Sequence, residues 1–136
     1  RSGKPVLVTP EHFREIESIA VAYDGSAPAD KALKLAAELS EHASWPLSVV
    51  IVTADPSAGE NISRKAEDFL ESDRIDNATL ILPGKEDKEL LKFIQEGAVE
   101  LLVMGAYGHN RLRELMVGST TSAIIRKSTI PVLLTR

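Results

Sequence analysis

The sequence predicts an α/β domain: an open, twisted parallel sheet of five strands in the order 3-2-1-4-5, with helices on both faces. Three observations point there. Short β-branched apolar runs alternate with helix-period segments from residue 19 onward, the pattern of βαβ units. The run Leu47 to Thr53 (LSVVIVT) is apolar almost throughout, as suits a central strand covered on both faces. A glycine-rich segment then leaves the fourth strand and enters a helix, and in sheets of this kind ligands bind beyond the carboxyl ends of the strands, where the chain order reverses.

The first strand of the five is Ile19 to Tyr23, closed by Asp24-Gly25-Ser26. Ser26 is a helix cap with Pro28 in the first turn, and Ala32, Leu35, Ala36, Leu39 and Ala43 follow at helical spacing. After the second strand, Ile62, Ala66, Phe69 and Leu70 place one apolar stripe on the next helix. Ala78 to Leu82 is the third strand. Leu90, Leu91 and Ile94 face inward from the helix after it, which Gly97 stops through a left-handed residue. Leu101 to Met104 is the fourth strand, residues 119 to 127 form a helix, and Val132 to Thr135 is the fifth strand, with Pro131 tolerated at its start.

Composition sets outer bounds. The 136 residues, 43% of them hydrophobic, suffice for one domain with a sizeable core and not for two complete ones. Cysteine is absent, which excludes disulfides and thiolate chemistry and leaves a cytoplasmic location as the simple expectation. No stretch is long and apolar enough for a membrane span, and no signal-peptide pattern opens the sequence. A net charge of -4 argues against a broad grip on nucleic acid, and few aromatics are available to stack bases. Histidines at 12, 42 and 109 are scattered, so no protein-held metal site is expected.

The chain opens with Arg1 and contains an internal echo: Pro5-Val6-Leu7-Val8-Thr9 nearly repeats Pro131-Val132-Leu133-Leu134-Thr135. Two readings stay open. The motif is a common edge-strand composition, or residues 1–10 are the last strand of a preceding copy of the same domain, with 11–18 as linker and 19–136 as the domain proper. The second reading makes this chain part of a longer tandem protein and places residues 5 to 9 against the edge strand 132–135.

The informative segment is Gly105-x2-Gly108-x9-Gly118-Ser119-Thr120. Three glycines at such spacing arise by chance in about one chain in 25 of this length, so context decides. Here Gly105 and Gly108 are expected to adopt backbone angles denied to other residues and to bring N–H groups close to a polyphosphate. Gly118, Ser119 and Thr120 stand at a helix start, where unpaired amides and the helix dipole attract phosphate. The order of elements and the missing Gly-Lys-Ser/Thr exclude a Walker P-loop. The plain alternative is that the glycines turn the chain and Ser119 caps a helix.

At these residues the sequence resembles the ATP-binding members of the universal stress protein family. The resemblance extends through Ile19-Ala-Val-Ala-Tyr-Asp-Gly-Ser, Ala32-Leu33, Leu101 to His109 and Ile130-Pro-Val-Leu-Leu, covering about residues 19 to 136. It implies a Rossmann-like fold of the adenine nucleotide α-hydrolase type. It also implies that Asp24 meets the ribose or adenine end, that Ala22, Val52 and Met104 line the adenine pocket, and that partners pair through the edge strand. Each residue keeps an ordinary alternative: an Asx turn for Asp24, plain core for Val52 and Met104. Arg111, in the insert with His109 and Arg113, is a candidate screen for the terminal phosphate, with a surface charge as its alternative.

The expectation is therefore a regulatory stress-response module that binds ATP, ADP or AMP, with Mg²⁺ or Mn²⁺ held through the phosphates. No water-positioning base and leaving-group set is legible, so ATP turnover is expected to be slow or absent. The alternatives are a nucleotide-free dimerisation module of the same family and, behind it, a nucleotide-dependent ligase or transferase on the same architecture. A homodimer or tandem pseudo-dimer through 132–135 is the expected assembly.

Overall fold

A computed structural model describes residues 4–12, 14–70, 76–105 and 118–135. In chain order the elements are β1 (Val6–Val8), β2 (Ile19–Ala22), α1 (Ala27–Ala43), β3 (Leu47–Val52), α2 (Pro56–Leu70), β4 (Asn77–Leu82), α3 (Glu86–Gln95), β5 (Leu101–Gly105), α4 (Ser119–Lys127) and β6 (Val132–Thr135). The sheet order is β1-β6-β5-β2-β3-β4. From β2 onward this is the predicted order, and every neighbouring pair among those five strands is parallel. The sheet has six strands among the described residues rather than five. The extra one, β1, runs antiparallel along β6, with Leu7 opposite Leu133.

The alternation of each strand divides the core into two layers. Ile19, Val21, Val49, Ile51 and Val103 face α1 and α2, whereas Ala20, Val50, Leu102, Met104 and Val132 face α3 and α4. Toward the first layer α1 presents Ala29, Ala32, Leu33, Ala36 and Ala37, all buried. Four alanines on this face let the helix axis approach the sheet closely, and Leu33 fills the space between them. A buried leucine of this kind contributes about 2 kcal/mol. The buried stripe is therefore centred on Leu33 rather than on Leu35 and Leu39, which are only partly buried at its border.

Helix ends follow local chemistry. Ser26 accepts a hydrogen bond from the Ala29 amide at 3.3 Å and caps α1, which Pro28 enters without losing a needed donor. At the end of α3, Gly97 sits at φ +79, the left-handed stop expected of it, and its N–H donates to the Ile94 carbonyl.

One long-range tie was not legible in the sequence. The Glu100 carboxylate, just before β5, accepts hydrogen bonds at Oε1 from the Glu17 amide (3.0 Å), the Ser18 amide (2.9 Å) and the Ser18 hydroxyl (3.0 Å). Arg14 stands 3.7 Å from its other oxygen. Together these fasten the segment entering β2 to the start of β5. Burial pushes the Glu100 carboxyl up, but the donated hydrogen bonds and the nearby guanidinium outweigh it, and the net shift is downward. A carboxyl lowered by folding contributes stability above its unfolded value, and the contribution disappears as pH falls through the folded value. Glu100→Gln should accordingly cost about 1 kcal/mol at neutral pH and much less in acid. Urea unfolding of both proteins at pH about 7 and about 3 checks this, and an equal loss at the two pH values would contradict it.

Candidate functional site

β2 hands the chain through α1 to β3 on one side, and β5 hands it toward α4 and β6 on the other. Their carboxyl ends lie side by side, with Val21 opposite Val103. At this switch point the described residues line a crevice of about 220 Å³. Its floor is Ala22 at the end of β2 with Met104 and Gly105 at the end of β5. The walls are the first turns of three helices: Pro28 and Ala29 from α1, Glu86 from α3, and Ser119 to Thr121 from α4 behind Gly118. Asp24 and Ser26 complete the rim.

The β2–α1 turn is held from several directions. Gly25 adopts φ +82, a conformation that strains other residues. Asp24 Oδ1 accepts from the Ser26 amide at 2.9 Å and from its hydroxyl at 2.6 Å, closing an Asx turn. The hydrogen bonds of Asp24 among the described residues all use this one oxygen. Beneath the turn, the Tyr23 hydroxyl donates to Asp30 at 2.6 Å, and Lys65 reaches from α2 to Asp30 (3.3 Å) and the Gly25 carbonyl (2.6 Å). Burial, with the neighbouring Asp30 carboxylate, pushes the Tyr23 phenol strongly upward, so it remains a donor.

Gly105 corrects the reason given for it by sequence. It does not have positive φ. A Cβ there would stand 2.8 Å from both Cβ and the carbonyl oxygen of Pro28, closer than packed atoms tolerate. The residue is small because β5 meets the first turn of α1 backbone to backbone. Gly118 likewise sits at φ -65 and ψ 168, which any residue can adopt. α1 is capped by its own serine, whereas the N-cap position of α4 is Gly118, which has no side chain to serve as a cap. The first intrahelical bond of α4 runs from the Ser122 amide to the Gly118 carbonyl, so the amides of residues 119 to 121 point out of the helix start.

The half-buried Glu86 carboxylate stands across from that end. It lines the crevice together with Thr120, and burial and the negative charge of Asp24 raise its pKa, with Asp87 adding to the effect and Thr120 opposing it.

Of the residues singled out from sequence, Ala22, Asp24, Met104, Gly105, Gly118, Ser119 and Thr120 line this one crevice. Val52 does not line it; partly buried at the end of β3, it packs on the same sheet face as Ala22 and Met104. Gly108 and Arg111 lie outside the described residues. Sequence reasoning missed Glu86, because Lys85-Glu86-Asp87-Lys88-Glu89 reads as a solvated helix start. It also passed over Thr121, although the unbroken run Gly118-Ser-Thr-Thr was a usable signal.

Residues 15–136 match the model of the universal stress protein family. The chain belongs to the universal stress protein family. A universal stress protein of Synechocystis is 41% identical over 133 residues, which are 96% of this chain and 46% of the relative. A universal stress protein of Archaeoglobus fulgidus superposes with a TM-score of 0.81 at 25% identity, covering 100% of this chain and 50% of that one. The chain thus spans about half the length of these relatives. Another A. fulgidus universal stress protein, solved in complex with dAMP, superposes with a TM-score of 0.72 at 21% identity, covering 88% of this chain and 97% of that one.

Gly105→Ala tests the close approach. The added methyl must push the first turn of α1 away from β5, so the variant should lose about 1–3 kcal/mol. An unchanged urea midpoint would show that the contact carries no constraint.

Proposed function

We propose that this domain binds an adenine nucleotide in the crevice between β2, β5 and α4, with ATP as first choice and ADP or AMP as alternatives. The observation that carries the reading is the start of α4, with Gly118 at its N-cap, facing a cleft at the switch point of the sheet. Amides of residues 119 to 121 and the hydroxyls of Ser119 and Thr120 are placed to receive phosphate. Asp24 would meet a ribose hydroxyl, and the apolar floor formed by Ala22 and Met104 would receive the base. The complex of a family member with dAMP supports an adenine ligand. Gly108 and Arg111 are assigned to the phosphate end by their place in the glycine motif.

Mg²⁺ or Mn²⁺ would come in bound to the phosphates, offsetting the negative charge of Asp24 and Glu86. The domain acts in this reading as a cytoplasmic regulatory module of the stress response, with ATP hydrolysis slow or absent. Calorimetry with the three nucleotides tests it. The wild type should bind at least one of them saturably, and Gly118→Val should bind at least about tenfold more weakly. The Gly118 backbone angles admit valine, so the variant should keep its circular dichroism spectrum. No binding by the wild type would favour a nucleotide-free interaction module.

A second reading concerns assembly and rests on register. Superposing Val6-Leu7-Val8 on its echo Val132-Leu133-Leu134 makes the β1–β6 pairing self-complementary: Val6 faces Leu134, Leu7 faces Leu133 and Val8 faces Val132. That is the pattern of a two-fold contact between equivalent strands. We propose that β1 is the last strand of a preceding copy of the domain, and that this copy covers the exposed Val6 and Leu7. The mass of the intact source protein should exceed that of this chain by about one domain. A mature chain beginning at Arg1 with no larger precursor would contradict the reading.

A further inference from the structure

Glu86 brings a negative charge to the place where the proposed ligand is most negative. It opens α3, where an acid is favoured by the dipole of its own helix, as are Asp87 and Glu89 in the same turn. Yet it lines the crevice, as does Thr120, the second residue of α4. In this arrangement a carboxylate shares the crevice with the hydroxyl donors offered to a phosphate.

We infer that Glu86 is an internal anion that sets the charge preference of the crevice: a nucleotide phosphate reaches the start of α4 only against the charge of the Glu86 carboxylate or by meeting its protonated form. This rests on the nucleotide reading above and assigns the site a regulation of its own. The groups facing Glu86 support it from each neighbouring element. Among the described residues, Asp24, from the β2–α1 turn, and Asp87, on α3 itself, both disfavour its ionised form, as does burial, and from α4 the neutral Thr120 side chain opposes them. Incoming phosphate would raise the carboxyl further, so binding takes up a proton and tightens as pH falls. A divalent cation on the phosphates relieves the same repulsion. The penalty therefore weighs most on metal-free ATP and least on AMP or the metal complex.

The test compares wild type with Glu86→Gln, which keeps the size and hydrogen-bonding capacity of the side chain and removes its charge. Affinities for AMP and ATP, with and without Mg²⁺, are measured by calorimetry between about pH 5 and 8. Metal-free ATP should bind Glu86→Gln about three- to tenfold more tightly than wild type near pH 8, and the gap should close toward pH 5. AMP should show a smaller gap. Because both proteins meet the same titrating nucleotide, the difference between them isolates Glu86. Equal affinities at every pH, or a gap that ignores pH, would overturn the inference while leaving nucleotide binding intact. Failure of both proteins to bind any nucleotide would overturn the inference together with the reading beneath it.

Discussion

The structure depends on the close approach of β5 to the first turn of α1. A methyl at Gly105 would sit 2.8 Å from the Pro28 backbone, so only glycine lets the end of β5 lie against the start of that helix. The contact brings the end of β5 beside the β2–α1 turn, where Asp24 and Ser26 close on each other. Since β2 and β5 lead their helices to opposite sides of the sheet, the described residues leave a gap beyond the two strand ends. The crevice is thus a consequence of topology, made narrow by one missing side chain.

What surrounds the crevice gives it an uneven electrostatic character. Three helices begin there, and each meets its unpaired amides differently. Ser26 caps α1, first-turn acids compensate α3, and α4 has at its N-cap Gly118, which has no side chain to serve as a cap. The positive end of α4 is the attractive feature for an anion; Asp24 and Glu86 are the repulsive ones. A ligand with both sugar hydroxyls and phosphate suits this mixture better than a bare anion does, because hydroxyls can donate to carboxylates while phosphate takes the amides.

Much of this was readable from the chain alone, for reasons that differ by element. α4 and β6 have the boundaries expected of them, because Gly118-Ser119 and Pro131 mark their starts with local chemistry. The five parallel strands were legible from their alternating apolar runs, and the expected order 3-2-1-4-5 is the one observed. Where sequence reasoning fell short, the deciding neighbour was far away in the chain. The clash that keeps Gly105 small comes from Pro28, and the donors to Glu100 come from residues 17 and 18. Glu86 and Thr120 line the crevice from two different helices, and nothing in a charged run announces which of its acids will turn inward. The face of Val52 was legible by strand alternation, its distance from the crevice lining was not.

The central claim, that the start of α4 and the ends of β2 and β5 form one ligand site, is most directly tested by amide chemical shifts during titration of the ¹⁵N-labelled protein with AMP. Saturable shifts should concentrate at residues 118 to 121, at Asp24 and at Met104 and Gly105. Shifts confined to other parts of the sheet, or none at saturating ligand, would contradict the account.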